Sequence, residues 1–218
     1  MATFKAEGRQ LTAPEIAVLM AWTKIVLFDD IVASSVPDDP YFATTLETYF
    51  PKALHTYSDV MQAHRLKREI ISTVLANRII DITGPVFLLR LREQTGASNA
   101  DIVAAFETAY ALLGASALRD QVSALDNQVP AQRQMSMQND LAASLARLTQ
   151  GVLRFNATGP VADRISDLTA SRDALAALDD NDLPNYQTAR HLRHVKQITR
   201  DGVSTELAEA FVKTPLIA

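Results

Sequence analysis

The chain has no cysteine, so neither a disulfide nor a thiolate metal site can hold it together. Glycine is scarce: of the seven, the nearest pair is Gly151 and Gly159, eight apart. That spacing excludes both the dinucleotide fingerprint and the P-loop, which need glycines two to five residues apart to let backbone approach phosphate. There are four histidines, none with a glutamate three residues before it, and no His-Glu-x-x-His. Zincin and di-iron bundle patterns are thereby excluded. The greasiest run, Ile16 to Phe28, is broken by Thr23 and Lys24 and is too short for the ~20 residues that cross a bilayer. No apolar stretch follows the charges of the opening Met1-Ala-Thr-Phe-Lys-Ala-Glu-Gly8, so no leader is expected and the chain reads as cytoplasmic. A net charge of −4 argues against nucleic acid as a partner, since phosphate binding needs concentrated positive charge.

What is present is helical punctuation. A chain of 218 residues that is 48% hydrophobic and 21% charged has enough apolar material for a core without staples. Thr12-Ala-Pro-Glu15 is a capping box, with Leu11 and Ile16 placed as a hydrophobic staple. It predicts a first helix from about Ala13 to Ala33. That helix is apolar on nearly every side, so it belongs at the centre of a bundle or at an interface. Asp39-Pro40 starts a short helix ending before Pro51, and a long one is predicted from about Ser58 to Ile82, closed by Gly84-Pro85. Gly96 ends the next helix. Ser98 and Asp101 cap a further one, which should run to about Gly114.

Beyond Pro130, Met137, Leu141, Leu145, Leu148, Val152 and Phe155 recur every three or four residues and predict a long amphipathic helix. A turn at 156–160 leads to an answering stripe of Val161, Ile165, Leu168, Leu175 and Leu178. Pro184 and Gly202 bound another helix, and a last one should cover about Thr205 to Lys213, before Pro215. No alternating strand of useful length occurs. The expected fold is therefore all-α: a multi-helix bundle of about eight to ten helices, with antiparallel hairpins in the second half. Residues 1–10 read as a flexible tail, 11–130 as one bundle and 131–218 as hairpins packed on it, together one compact domain.

Two clusters carry chemistry worth weighing. His64-Arg65-Leu66-Lys67-Arg68-Glu69 is the densest run of charge. His64, Arg65 and Arg68 could clamp a ligand, and with Glu69 they are the candidate interdomain contact. The plainer reading is a set of helix ion pairs with an arginine anchored to a carboxylate in another helix. Asn77 and Arg78, two to three turns on, could extend that face. His191 and His194 could share a metal, but Arg190, Arg193, Lys196 and Arg200 around them repel a cation, and a solvated basic face is the simpler reading. Trp22, Phe28, Tyr41, Tyr49 and Phe50 read as core aromatics. No residue stands out as catalytic, cofactor-binding or metal-binding.

A set of strings, in order, resembles the C-terminal region of the large, bacterial-type NAD-specific glutamate dehydrogenases. They are Leu11-Thr-Ala-Pro-Glu-Ile-Ala-Val-Leu19, Val36-Pro-Asp-Asp-Pro-Tyr41, Tyr49-Phe-Pro51 and His64-Arg-Leu-Lys-Arg-Glu-Ile70 leading to Thr73-Val-Leu-Ala-Asn77. Arg90-Leu-Arg-Glu-Gln-Thr-Gly-Ala-Ser98 and Ala124-Leu-Asp126 ahead of Val129 complete the set. The likeness is strong over about Leu11 to Pro130 and is one of helical pattern beyond. It departs at Ala13, where an arginine is usual, and at Trp22, where a tyrosine is. The resemblance implies a parent enzyme converting L-glutamate, NAD and water to 2-oxoglutarate, ammonium and NADH. It also implies that the catalytic lysine, its acidic partner and the nucleotide fold lie before this region. The segment would then be inactive alone and free of cofactor, with NAD belonging to the parent. Its partners would be the catalytic and nucleotide-binding domains of the same polypeptide, in a homo-oligomer. The rival reading is a free-standing helical interaction module, whose reading frame would not continue upstream of Ala2.

Overall fold

The computed structural model describes residues 11–155, 159–176 and 185–217. Among them are eleven α-helices, three short 3-10 turns and no strand, so the all-α expectation holds with one helix more than the upper count. The N-terminal tail, much of the turn at 156–160, Leu178 and Pro184 lie outside the described residues. The chain divides into two compact units, one ending at Leu89 and the other beginning at Arg90.

In the first unit, α1 (Ala13–Ala33) begins and ends where its capping box and the Ser34 break place it. The Thr12 N–H and hydroxyl each donate to Glu15 Oε2 at 2.8 Å. These bonds, the backbone one first, hold the Glu15 carboxyl below the usual carboxylate range. A 3-10 turn, Pro40–Phe42, follows; the Asp39 carboxylate accepts the Tyr41 N–H at 2.9 Å, fixing the start that Asp39-Pro40 signals. Next come α2 (Ala43–Tyr49), a 3-10 turn over Lys52–Tyr57, α3 (Ser58–Gln62) and α4 (Lys67–Thr83). The C-terminal half of α1 packs on α4. Leu27 and Ile31 on one helix and Ile71, Leu75 and Ile79 on the other are fully buried. Each such side chain contributes about 1.5–3 kcal/mol.

Two expectations change here. The single helix predicted over 58–82 is broken at 63–66, into α3 and α4. And of the two places expected for α1, the centre of a bundle or an interface, the structure does not give it the first. Only Leu27 and Ile31 of α1 are buried, whereas Ile16, Val18, Leu19, Met20, Trp22, Ile25 and Val26 are exposed. Trp22 and Tyr49, expected in the core, lie at the surface; among the described residues the fully buried aromatics are Phe42 and Phe106.

Helix α5 (Pro85–Thr95) carries the division between units. The second unit is built round α6 (Asn99–Leu112), entered through a complete capping box. The Asp101 N–H donates to Ser98 Oγ at 3.1 Å, and the Ser98 hydroxyl donates back to Asp101 Oδ2 at 2.6 Å. Every residue from Ile102 to Ala109 is buried. Small side chains, Ala104, Ala105 and Ala109, let neighbours approach from several sides. After α6 the chain bends by 64° into α7 (Ala115–Ala124), a helix absent from the sequence reading. Gly114 makes that corner in the left-handed region, φ 59°, where a side chain would be strained.

Helix α8 (Ala131–Arg154) starts after Pro130 as expected. Met137, Leu141, Leu145 and Val152 are buried, but Leu148 is half-buried and Phe155, 78% exposed, leaves the stripe. Ser144 and Thr149 take inward positions. Thr149 satisfies its hydroxyl on the Leu145 carbonyl at 2.7 Å. The answering helix α9 (Val161–Ala176) packs chiefly on α6, as α8 does, rather than on α8. Helix α6, covered on every side from Ile102 to Ala109, offers both a surface, which two facing stripes alone do not require. Helices α10 (Asn185–Arg200) and α11 (Thr205–Ile217) pack on each other across the Gly202 corner, and α11 runs past Pro215. Among the described residues no single helix is long and apolar enough to cross a membrane.

Candidate functional site

The charged run at 64–69 sits at the break between α3 and α4, and the break is local chemistry. The Leu66 N–H donates to His64 Nδ1 at 3.2 Å, and the Lys67 N–H donates to the His64 carbonyl at 3.0 Å. These bonds turn the chain where helical spacing alone would carry it on. The His64 ring stands edge-on to Phe50, centroids 5.9 Å apart. Helix α4 then opens at Lys67 with Glu69 in its first turn, where the helix dipole favours a carboxylate.

Arg68 turns inward. Its guanidinium donates to the carbonyls of Val32 at 2.6 Å and Ser34 at 2.7 Å, and pairs with the Asp38 carboxylate. Those carbonyls belong to the end of α1, where the last acceptors have no partner within the helix. One planar side chain thus caps α1 and anchors the following loop to α4. The anchored arginine of the plainer reading is what the structure contains, and its carboxylate is Asp38. Glu69 is half-buried, with its Oε2 lacking a hydrogen-bond partner, and its backbone carbonyl accepts the Thr73 hydroxyl at 2.7 Å. His64 and Arg65 are exposed. Asn77 and Arg78 lie half-buried further along α4.

Arg68→Ala should lower the chain's unfolding free energy by about 1.5–3 kcal/mol, the range for lost hydrogen bonds to a charged group. Arg68→Lys should recover only part of it, because an ammonium cannot reproduce the planar fork. Urea unfolding of the three proteins measures this. An unchanged midpoint in Arg68→Ala would show the clamp to be idle.

On the basic helix α10, Arg190, Lys196 and Arg200 are exposed. His194 Nε2 lies 3.8 Å from Asp140 Oδ2 on α8, an ion pair only when the ring is protonated. The His191 side chain lies outside the described residues. Among the described residues no group of three His, Asp or Glu is arranged to hold a metal. One strong link escaped sequence reasoning: Arg133, in the first turn of α8, pairs through Nε with Asp201 at the end of α10. The partners are 68 residues apart, and no local pattern signals such a pair.

The polar clusters of the described residues therefore fasten helices and their ends together, in an all-helical domain of two units. A family model described as "Glutamate dehydrogenase, C-terminal" matches residues 8–218. The chain is 44% identical over 172 residues to the NAD-specific glutamate dehydrogenase of Halomonas elongata, covering 78% of this chain and 10% of that protein. It is 36% identical over 167 residues to that of Pseudomonas aeruginosa, covering 76% of this chain and again 10% of the relative. The Mycobacterium tuberculosis enzyme of the same name is 36% identical over 108 residues, covering 49% of this chain and 7% of the relative. The chain belongs to the glutamate dehydrogenase C-terminal family, and it spans about a tenth of the length of the relatives it matches.

Proposed function

We propose that this segment is the structural and assembly domain at the C-terminal end of an NAD-dependent glutamate dehydrogenase. The parent polypeptide converts L-glutamate, NAD and water to 2-oxoglutarate, ammonium and NADH in the cytoplasm, a compartment in keeping with a cysteine-free chain. The observation that carries the reading is the family match over residues 8–218, set beside relatives of which the matched stretch is only 10%. Chemistry and nucleotide binding belong to the rest of the polypeptide. The segment packs against those domains within a homo-oligomer, with exposed His64 and Arg65 at the contact and Arg68 and Glu69 behind them.

The described residues do not fit a dinucleotide. That group is seated where a glycine turn joins a strand to a helix N-terminus. Here the described residues contain no strand, and the glycines of the whole chain are too far apart for the turn. The purified chain incubated with glutamate and NAD should give no rise in NADH absorbance. Turnover that follows the chain through purification would overturn the assignment of a non-catalytic role.

A further inference from the structure

From Ile16 to Thr23 helix α1 carries no charge, and its large apolar side chains are exposed, Val18 at 68% and Trp22 at 62%. At about 100° per residue, Val18, Trp22 and Ile25 lie on the side opposite Leu27 and Ile31, the two buried residues. Ile16 and Met20 continue the side of Leu27 and Ile31 toward the N-terminus and are exposed as well. The leading turns of α1 are thus a rod, apolar all round, and contiguous exposed apolar surface of this kind marks an interaction site.

We propose that the leading turns of α1 dock into an apolar groove formed by the part of the same polypeptide that precedes this segment. The inference rests on the family reading to the extent that a preceding part exists. Three observations select that occupant. The matched family is the C-terminal part of proteins of which the matched stretch is only 10%, so the rest of such a polypeptide joins ahead of Thr12, and that is the bare end of α1. A covalently joined neighbour is present at high effective concentration and needs little intrinsic affinity. The rod is apolar on opposite sides. Pairing with α1 of a second copy would cover one side of the helix and leave the other in water, whereas a groove between helices encloses both. The Arg68 clamp holds the far end of α1 to α4, so the rod projects from a fixed base.

The test places a photo-crosslinking amino acid at Val18 in the intact polypeptide and maps the adducts by mass spectrometry. Adducts on residues upstream of this segment are expected, and Trp22→Glu in the same protein should reduce their yield roughly tenfold, as a charge in an apolar groove weakens docking. Adducts confined to a second copy's α1, adducts within residues 1–218, or no adducts above the level of the free side chain would each overturn the proposal. Glutamate-dependent NADH formation by the same intact polypeptide is followed in parallel. Its failure would count against the proposed enzyme, while the adduct map would still decide the docking.

Discussion

Phe106→Ala should destabilise the second unit by roughly 3–5 kcal/mol, the cost of removing a packed aromatic from a core that cannot close over the gap. Phe106 is fully buried in the middle of α6, one of eight consecutive buried positions, and its ring lies 6.0 Å from that of Tyr110. Because α8 and α9 both pack on α6, the cavity would loosen the shared support of two helices. Urea unfolding followed by far-UV circular dichroism measures the effect. A loss below about 1 kcal/mol, the size of an ordinary surface change, would mean that α6 is not the centre of this unit.

A second large effect separates two leucines that the sequence pattern treats alike. Leu145 and Leu148 both fall on the apolar stripe of α8, but Leu145 is fully buried while Leu148 is half-buried. Leu145→Ala should cost roughly 2–5 kcal/mol, and Leu148→Ala well under half as much, because a half-exposed side chain loses less transfer energy and leaves no closed cavity. Paired urea midpoints decide it. Equal losses would place Leu148 in the core and α8 in a different rotation about its axis.

The difference between these two leucines shows where the sequence was legible. Helix ends written in local chemistry were read well: Thr12 and Glu15 start α1, Ser98 and Asp101 start α6, and Pro130 precedes α8. Features set by particular side-chain partners, near or distant, were not. The break at 63–66 turns on the His64 ring accepting a backbone N–H two residues on, and helical periodicity does not register it. Arg68 finds Asp38 thirty residues back, and Arg133 finds Asp201 sixty-eight residues ahead. A helix apolar all round must be covered by something, which places α1 at the centre of a bundle or at an interface without choosing between them. The same pattern arises whether the cover comes from the helix's own unit, as for α6, or from elsewhere, as proposed for α1. The charge run at 64–69 was found by density alone, which could not tell the inward Arg68 from the exposed His64 and Arg65.

A segment proposed to hold a larger polypeptide together should make itself felt when it is removed. The most direct measurement compares the intact polypeptide with the same polypeptide cut immediately ahead of Thr12, by sedimentation velocity with thermal unfolding on the same samples. Loss of the native assembly, or a clearly lower melting temperature of what remains, is the expected result, since contacts with the retained domains stabilise only while they exist. A truncated enzyme that sediments as the same oligomer and melts where the intact one does would contradict a structural and assembly role for this chain.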